Sequence, residues 1–178
     1  MNRRPAALCL WLAALLLPAI AIGDDTPSAA APRTPPPPPG CPEPVHAQFD
    51  FWVGEWQVHA GDALAGHNTI VRALDGCALT EHWRGVGDST GHSLNAYDRS
   101  SGQWRQFWIG NRGGVLQLAG GLQDDGSMLM RSAADESGTV QQIRWSPGAD
   151  GSVRQHWQAI AADGSATTVF DGRYTKVE

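Results

Sequence analysis

From Val45 onward, apolar and polar residues alternate in short runs, and each run is broken by glycine or an Asp-Gly pair. Alternation with a period of two is the mark of a strand with one face covered. Asp-Gly at 75–76, 125–126, 150–151 and 163–164 supplies the residues that hairpin turns demand, and Gly61, Gly66, Gly102 and Gly138 mark further turns. The pattern predicts ten strands, at about 53–60, 67–74, 77–85, 91–99, 103–110, 114–123, 127–134, 139–146, 152–161 and 166–176. No sustained 3.6-residue period occurs, and the one helical turn expected lies around Val45–Phe51.

Short antiparallel strands joined by tight turns make a sandwich, a propeller or a closed meander. No repeat of blade length is present, which disfavours the propeller. No connection is long enough for Greek-key crossovers. Closure also removes the edges on which a sheet aggregates. The expected fold is therefore all-β: an antiparallel up-and-down β-barrel of about ten strands. Its first strand is announced by Phe49-Asp50-Phe51-Trp52-Val53-Gly54-Glu55-Trp56, an aromatic plug running into a strand on which Trp56 and Val58 share a face.

Alternation also sorts each strand into two faces. Leu79, Glu81 and Trp83 oppose Thr80, His82 and Arg84; Ser93, Asn95 and Tyr97 oppose Leu94, Ala96 and Asp98. Trp104, Gln106 and Trp108 oppose Arg105, Phe107 and Ile109, and Val153, Gln155 and Trp157 oppose Arg154, His156 and Gln158. The inner face thus mixes tryptophan with Glu, Gln, Asn and Tyr. A dry core excludes such partners unless each is hydrogen-bonded. Glu81, Trp83, Asn95, Tyr97, Gln106, Trp108, Gln155 and Trp157 are accordingly expected to converge on one internal cavity. On the eighth strand Ile143 and Trp145 oppose Gln142 and Arg144, which puts Arg144 outside; with the phase reversed it would face Glu81, and the pattern leaves both open.

Composition adds the address. Arg3 and Arg4, the apolar run Ala6–Leu17, Pro18 and a small-residue site ending at Ala21 or Gly23 make residues 1–23 a signal peptide, too short for a comfortable membrane span. Nine of the twelve prolines fall in 24–44, a stiff linker. The barrel domain is expected at 45–178. The formal net charge is −5, and loss of Arg3 and Arg4 with the signal makes it −7, with no basic cluster for nucleic acid. Two cysteines remain after processing, Cys41 and Cys77; in a periplasmic or secreted protein they are expected to pair. The six histidines have no ligand spacing, so no metal site is expected, and no nucleophile elbow, phosphate loop or dinucleotide fingerprint calls for a cofactor.

Three stretches carry a resemblance. They are 49–58; Gly76-Cys77-Ala78-Leu79-Thr80-Glu81-His82-Trp83 with Ser93-Leu94-Asn95-Ala96-Tyr97-Asp98; and Gln103-Trp104-Arg105-Gln106-Phe107-Trp108 with Phe170-Asp171-Gly172-Arg173-Tyr174. Together they resemble the exported bacterial proteins filed as domain of unknown function 1579, a family related to the lipocalin and fatty-acid-binding-protein (calycin-type) barrels. Gly54-Glu55-Trp56 is similar to the Gly-x-Trp that opens lipocalin barrels. The resemblance implies a barrel and no established activity. It also implies a closing contact in which Arg173 of the last strand covers Trp56 of the first.

Three functions fit these residues. One is an exported module that binds an unknown small molecule, another an enzyme using Glu81 as acid or base, the third a filled barrel serving stability or interaction. An open cavity with an unperturbed Glu81 points to the first, a raised Glu81 pKa in an open cavity to the second, and no cavity to the third.

Overall fold

A computed structural model describes Gly40, Cys41 and residues 43–177. The signal peptide and most of the linker expected from the sequence lie outside the described residues. Ten strands form a closed barrel in which each pairs with its neighbour in the chain and β10 returns to β1. They are β1 (Gly54–Ala60), β2 (Ala63–Ala73), β3 (Ala78–Gly85), β4 (Thr90–Asp98), β5 (Gln103–Gly110), β6 (Val115–Leu122), β7 (Met128–Arg131), β8 (Val140–Pro147), β9 (Val153–Ile160) and β10 (Ala166–Lys176). Every pair is antiparallel. The up-and-down barrel read from the sequence is therefore the observed fold.

The alternation puts the expected faces inside. Arg144 is outside, where its guanidinium bonds Asp125 at 3.2 Å and Ser127, while Ile143 and Trp145 on either side are buried. One glycine reading fails: Gly66, expected at a turn, lies inside β2, and Gly120–Gly121 lies inside β6. Gly120 is needed there because a Cβ would stand 2.0 Å from the Leu129 carbonyl oxygen of β7. Such an approach of two backbones admits only glycine.

Several hairpins are tied by one device. The carboxylates of Asp125, Asp150 and Asp163 each accept the amide of the serine two residues on, at 2.9, 3.1 and 2.9 Å. The following glycines sit at φ of +78°, +78° and +85°, where other residues are strained.

One end of the barrel is plugged by the chain that enters it. Two 3-10 turns, Pro44–Ala47 and Asp50–Trp52, replace the helical turn expected around Val45–Phe51. They insert Phe49 and Trp52, both fully buried and stacked at 4.9 Å, against Trp104 and Trp145. Trp56 Nε1 donates to the Trp52 carbonyl at 2.9 Å and Trp104 Nε1 to Gln48 Oε1 at 3.1 Å, so the indoles bind the plug as well as bury it. A disulfide joins Cys41 to Cys77, as expected, with their Cα atoms 5.0 Å apart. It fastens the plug to the head of β3 and, by closing about 36 residues, stabilises the fold by about 3–4 kcal/mol.

The closing contact is not the one the resemblance implies. Lys176, not Arg173, lies over Trp56, its ammonium 5.4 Å from the ring. Parity is the reason. Trp56 pairs with Lys176 and Val58 with Tyr174, all on the inner face, whereas Arg173 pairs with His59 on the outer face and bonds Asp150 at 2.6 Å.

Candidate functional site

The other end of the barrel is open. The hairpins joining β3 to β4 and β5 to β6 surround the mouth of a cavity of about 470 Å³, within the range that encloses a small organic ligand. Trp83, Trp108, Trp157, Phe170 and Leu116 form its upper walls, and Glu81, Gln106, Ile143, Trp145, Gln155 and Tyr174 its deeper part. Six of the eight residues expected to converge are here: Glu81, Trp83, Gln106, Trp108, Gln155 and Trp157. Asn95 and Tyr97 point inward but do not line the space. Asn95 is fully buried below Gln106, whose amide it accepts at 2.7 Å. Tyr97 belongs to the plugged end, edge-on to His46 and Trp104.

Glycine keeps the walls flat. A Cβ on Gly91 would stand 2.2 Å from Cζ2 of Trp108, one on Gly66 2.8 Å from Cη2 of Trp83, and one on Gly172 2.4 Å from Cε1 of Phe170. Each ring therefore lies down on a bare stretch of sheet and leaves the lumen free. Trp157 is held differently: its Nε1 donates to Gln141 Oε1 at 2.7 Å.

At the floor, Glu81 is only 5% exposed and has no cationic partner among the described residues. Asn68 Nδ2 donates to its Oε1 at 2.7 Å, and the Ser93 hydroxyl donates to its Oε2 at 2.6 Å. Tyr174 donates to Gln155 Oε1, and Asn95 Nδ2 donates to Ser93 Oγ at 2.9 Å. The carboxylate is thus the hub of a network drawn from β2, β3, β4, β9 and β10. Burial raises its pKa to about 7, against the opposing pull of the Ser93 and Asn68 hydrogen bonds. Burial, helped by the charge of Glu81, also raises the Tyr174 phenol, which stays protonated.

Sequence reasoning missed Asn68, Ser93 and Tyr174. Alternation already placed Ser93 beside Asn95, and the step from Arg173 to Tyr174 gave the tyrosine its face. Asn68 lies within the expected second strand, 67–74, but that strand was not sorted into an inner and an outer face. Compared with known proteins, the chain matches no family model and no curated protein.

Proposed function

We propose that this protein is an exported barrel that binds a small molecule in the cavity above Glu81. The observation that carries the reading is the open half of the barrel: half-buried indoles lying flat on glycines around one buried carboxylate. A chain under selection for a filled core would use those glycine positions for larger side chains. The Cys41–Cys77 bridge supports an oxidising compartment, the periplasm or the exterior, and a signal peptide at 1–23 followed by a linker at 24–44 accounts for the route. The family proposed is domain of unknown function 1579. It is supported by the sequence stretches quoted above and by a ten-stranded meander compatible with a calycin-type barrel.

Titrating intrinsic tryptophan fluorescence with a panel of small molecules tests the reading, because three indoles line the walls. Saturable change that is lost in Trp108→Leu is expected. A panel that leaves the emission untouched, together with no molecule retained after purification from the native compartment, would refute it.

Catalysis is the second reading, and a specific observation favours it: a glutamate with a pKa of about 7 in an open cavity is suited to general acid or base work. By the criterion set out from the sequence, that raised pKa points to catalysis; binding is nonetheless placed first because burial alone accounts for the shift. Each carboxylate oxygen also accepts one hydrogen bond from the barrel wall, which fixes the group in place.

A further inference from the structure

The buried carboxylate at the floor keeps acceptor capacity. Asn68, Ser93 and Tyr174 direct their donors at other floor atoms, and Asn95 and Gln106 bond their neighbours in the same layer. The Trp145 indole N–H, which also lines the cavity, has no acceptor, so the sign of the site is set by the carboxylate and not by its neighbours. A carboxylate offers about four lone-pair sites, of which Asn68 and Ser93 take two. Asn68 Oδ1, on a residue only 1% exposed, has no donor at all.

The charge inventory leans the same way. The elements facing Glu81 present Asn68 and Ile70 from β2, Ser93 and Asn95 from β4, Gln106 from β5, Gln155 from β9 and Tyr174 from β10. Of these only Tyr174 titrates, and it is neutral. Arg112 stands at the mouth, exposed, where solvent screens it. The ionised carboxylate therefore lacks a counter-charge, and the walls nearest it are π-faces. Trp83 is two residues along β3, and Trp108 is directly across from Ser93.

We propose that the cavity takes an organic cation, a compact amine with a flat apolar body, whose ammonium sits on the Glu81 carboxylate between Trp83 and Trp108. The proposal rests on the reading of the barrel as a small-molecule binder and names the chemistry of its ligand. The ammonium supplies donors to the free lone pairs of the carboxylate, neutralises its charge, and meets aromatic faces that attract cations. The body of the ligand lies against Trp157, Phe170 and Leu116 higher in the cavity.

A matched trio of probes separates charge from shape: 2-phenylethylamine, 2-phenylethanol and 3-phenylpropionate, titrated by calorimetry at about pH 8.5 and about pH 5.5, on either side of the Glu81 pKa of about 7. The amine is expected to bind about tenfold or more tighter than the alcohol at the higher pH, with the carboxylate weakest. That preference is expected to fall to about threefold or less at the lower pH and in Glu81→Gln. A second measurement needs no variant. At about pH 7, amine binding to the wild-type protein is expected to release about half a proton, read from the heat in buffers of different ionisation enthalpy.

Equal binding of amine and alcohol, indifferent to pH and to Glu81→Gln, would overturn the cation and leave the binding module intact. Amine binding with no proton release would place the ammonium away from Glu81 and overturn the proposal as well. Failure of all three probes to bind would overturn the proposal, while the cavity reading beneath it stands or falls on the wider panel.

Discussion

The two halves of this barrel are built from the same residue type and do opposite things with it. At the plugged end, Trp52, Trp56, Trp104 and Trp145 are at most 1% exposed; Trp52, Trp104 and Trp145 pack on Phe49, and Trp56 meets Tyr174 edge-on. At the open end, Trp83, Trp108 and Trp157 are half-buried, and the first two lie over glycines, Trp83 also meeting Phe170 edge-on at 6.3 Å. The difference lies beneath the rings. Where the chain returns through the lumen, rings meet rings and the space closes. Where it does not, bare backbone lets the rings lie back against the wall. A tryptophan count thus says nothing about whether a barrel is filled; the residue under each indole does.

The largest expected effect breaks the plugged half. Trp52→Ala removes a fully buried indole from the centre of the plug and is expected to cost about 3–5 kcal/mol of unfolding free energy. Trp108→Ala, at a half-buried wall facing a cavity, is expected to cost less than about 2 kcal/mol, because its removal enlarges a space already open to water. Denaturant titrations with the disulfide kept oxidised give both numbers. Equal costs would mean the open half is as tightly packed as the plug, and the contrast drawn here would be wrong.

The second expectation sharpens the contrast through pH. The folded protein holds the Glu81 proton up to about pH 7, whereas the unfolded chain loses it near the ordinary value of 4.5. Between those values the folded state binds more protons, so stability falls as pH rises, by on the order of 3 kcal/mol over the window. In Glu81→Gln this decline is expected to vanish. The turn carboxylates act with the opposite sign. Serine hydrogen bonds lower Asp125, Asp150 and Asp163 below 3.8, Asp150 to about 2, so their contribution is present above 3.8 and fades as pH falls below it. Chemical denaturation between about pH 4 and pH 8 checks the first sign. A wild-type profile that is flat or rising there removes Glu81 as a buried, unpaired carboxyl.

How much of this was legible in the sequence depends on which coordinate is asked for. Period-two alternation fixes the face of a residue, and it assigned Glu81, Gln106, Trp108 and Gln155 to the interior. It carries no information about depth along the barrel axis. Depth is set by register and by irregularities such as the shifts at Val58/His59 and Thr168/Phe170. Asn95 and Tyr97 were therefore grouped with the cavity although both lie below it, and Asn68 was passed over. The closing cation was misassigned when resemblance outweighed parity, since Arg173 adjoins Tyr174 and the two cannot both face Trp56. Glycine was the least legible residue. In the Asp-Gly pairs at 75–76, 125–126, 150–151 and 163–164 it marked true turns, but at 66, 91 and 172, the last also preceded by aspartate, its meaning is the ring above it, a contact between strands that no local pattern records.

The smallest effect on stability carries the sharpest test of those glycines. At Gly91 the nearest atoms an added Cβ would meet are all in the Trp108 ring, at 2.2, 2.5 and 2.9 Å. Its φ lies outside the left-handed range, so alanine fits the backbone, and only the side chain opposite has to give. Gly66 offers no such clean substitution, because its Cβ would also stand 2.4 Å from the Arg84 carbonyl oxygen. In Gly91→Ala the indole is expected to swing off the wall into the lumen, at a cost of about 1 kcal/mol in rotamer strain and repacking. The cavity narrows in consequence. Ligands that quench the wild-type emission are expected to bind at least about tenfold more weakly, with little change in the unfolding midpoint. The plugged half, which Gly91 does not touch, supplies the control: near-ultraviolet ellipticity from its stacked rings is expected to persist. Unchanged binding and emission in Gly91→Ala would show that Trp108 does not rest on residue 91, and the openness of this half would then need another cause.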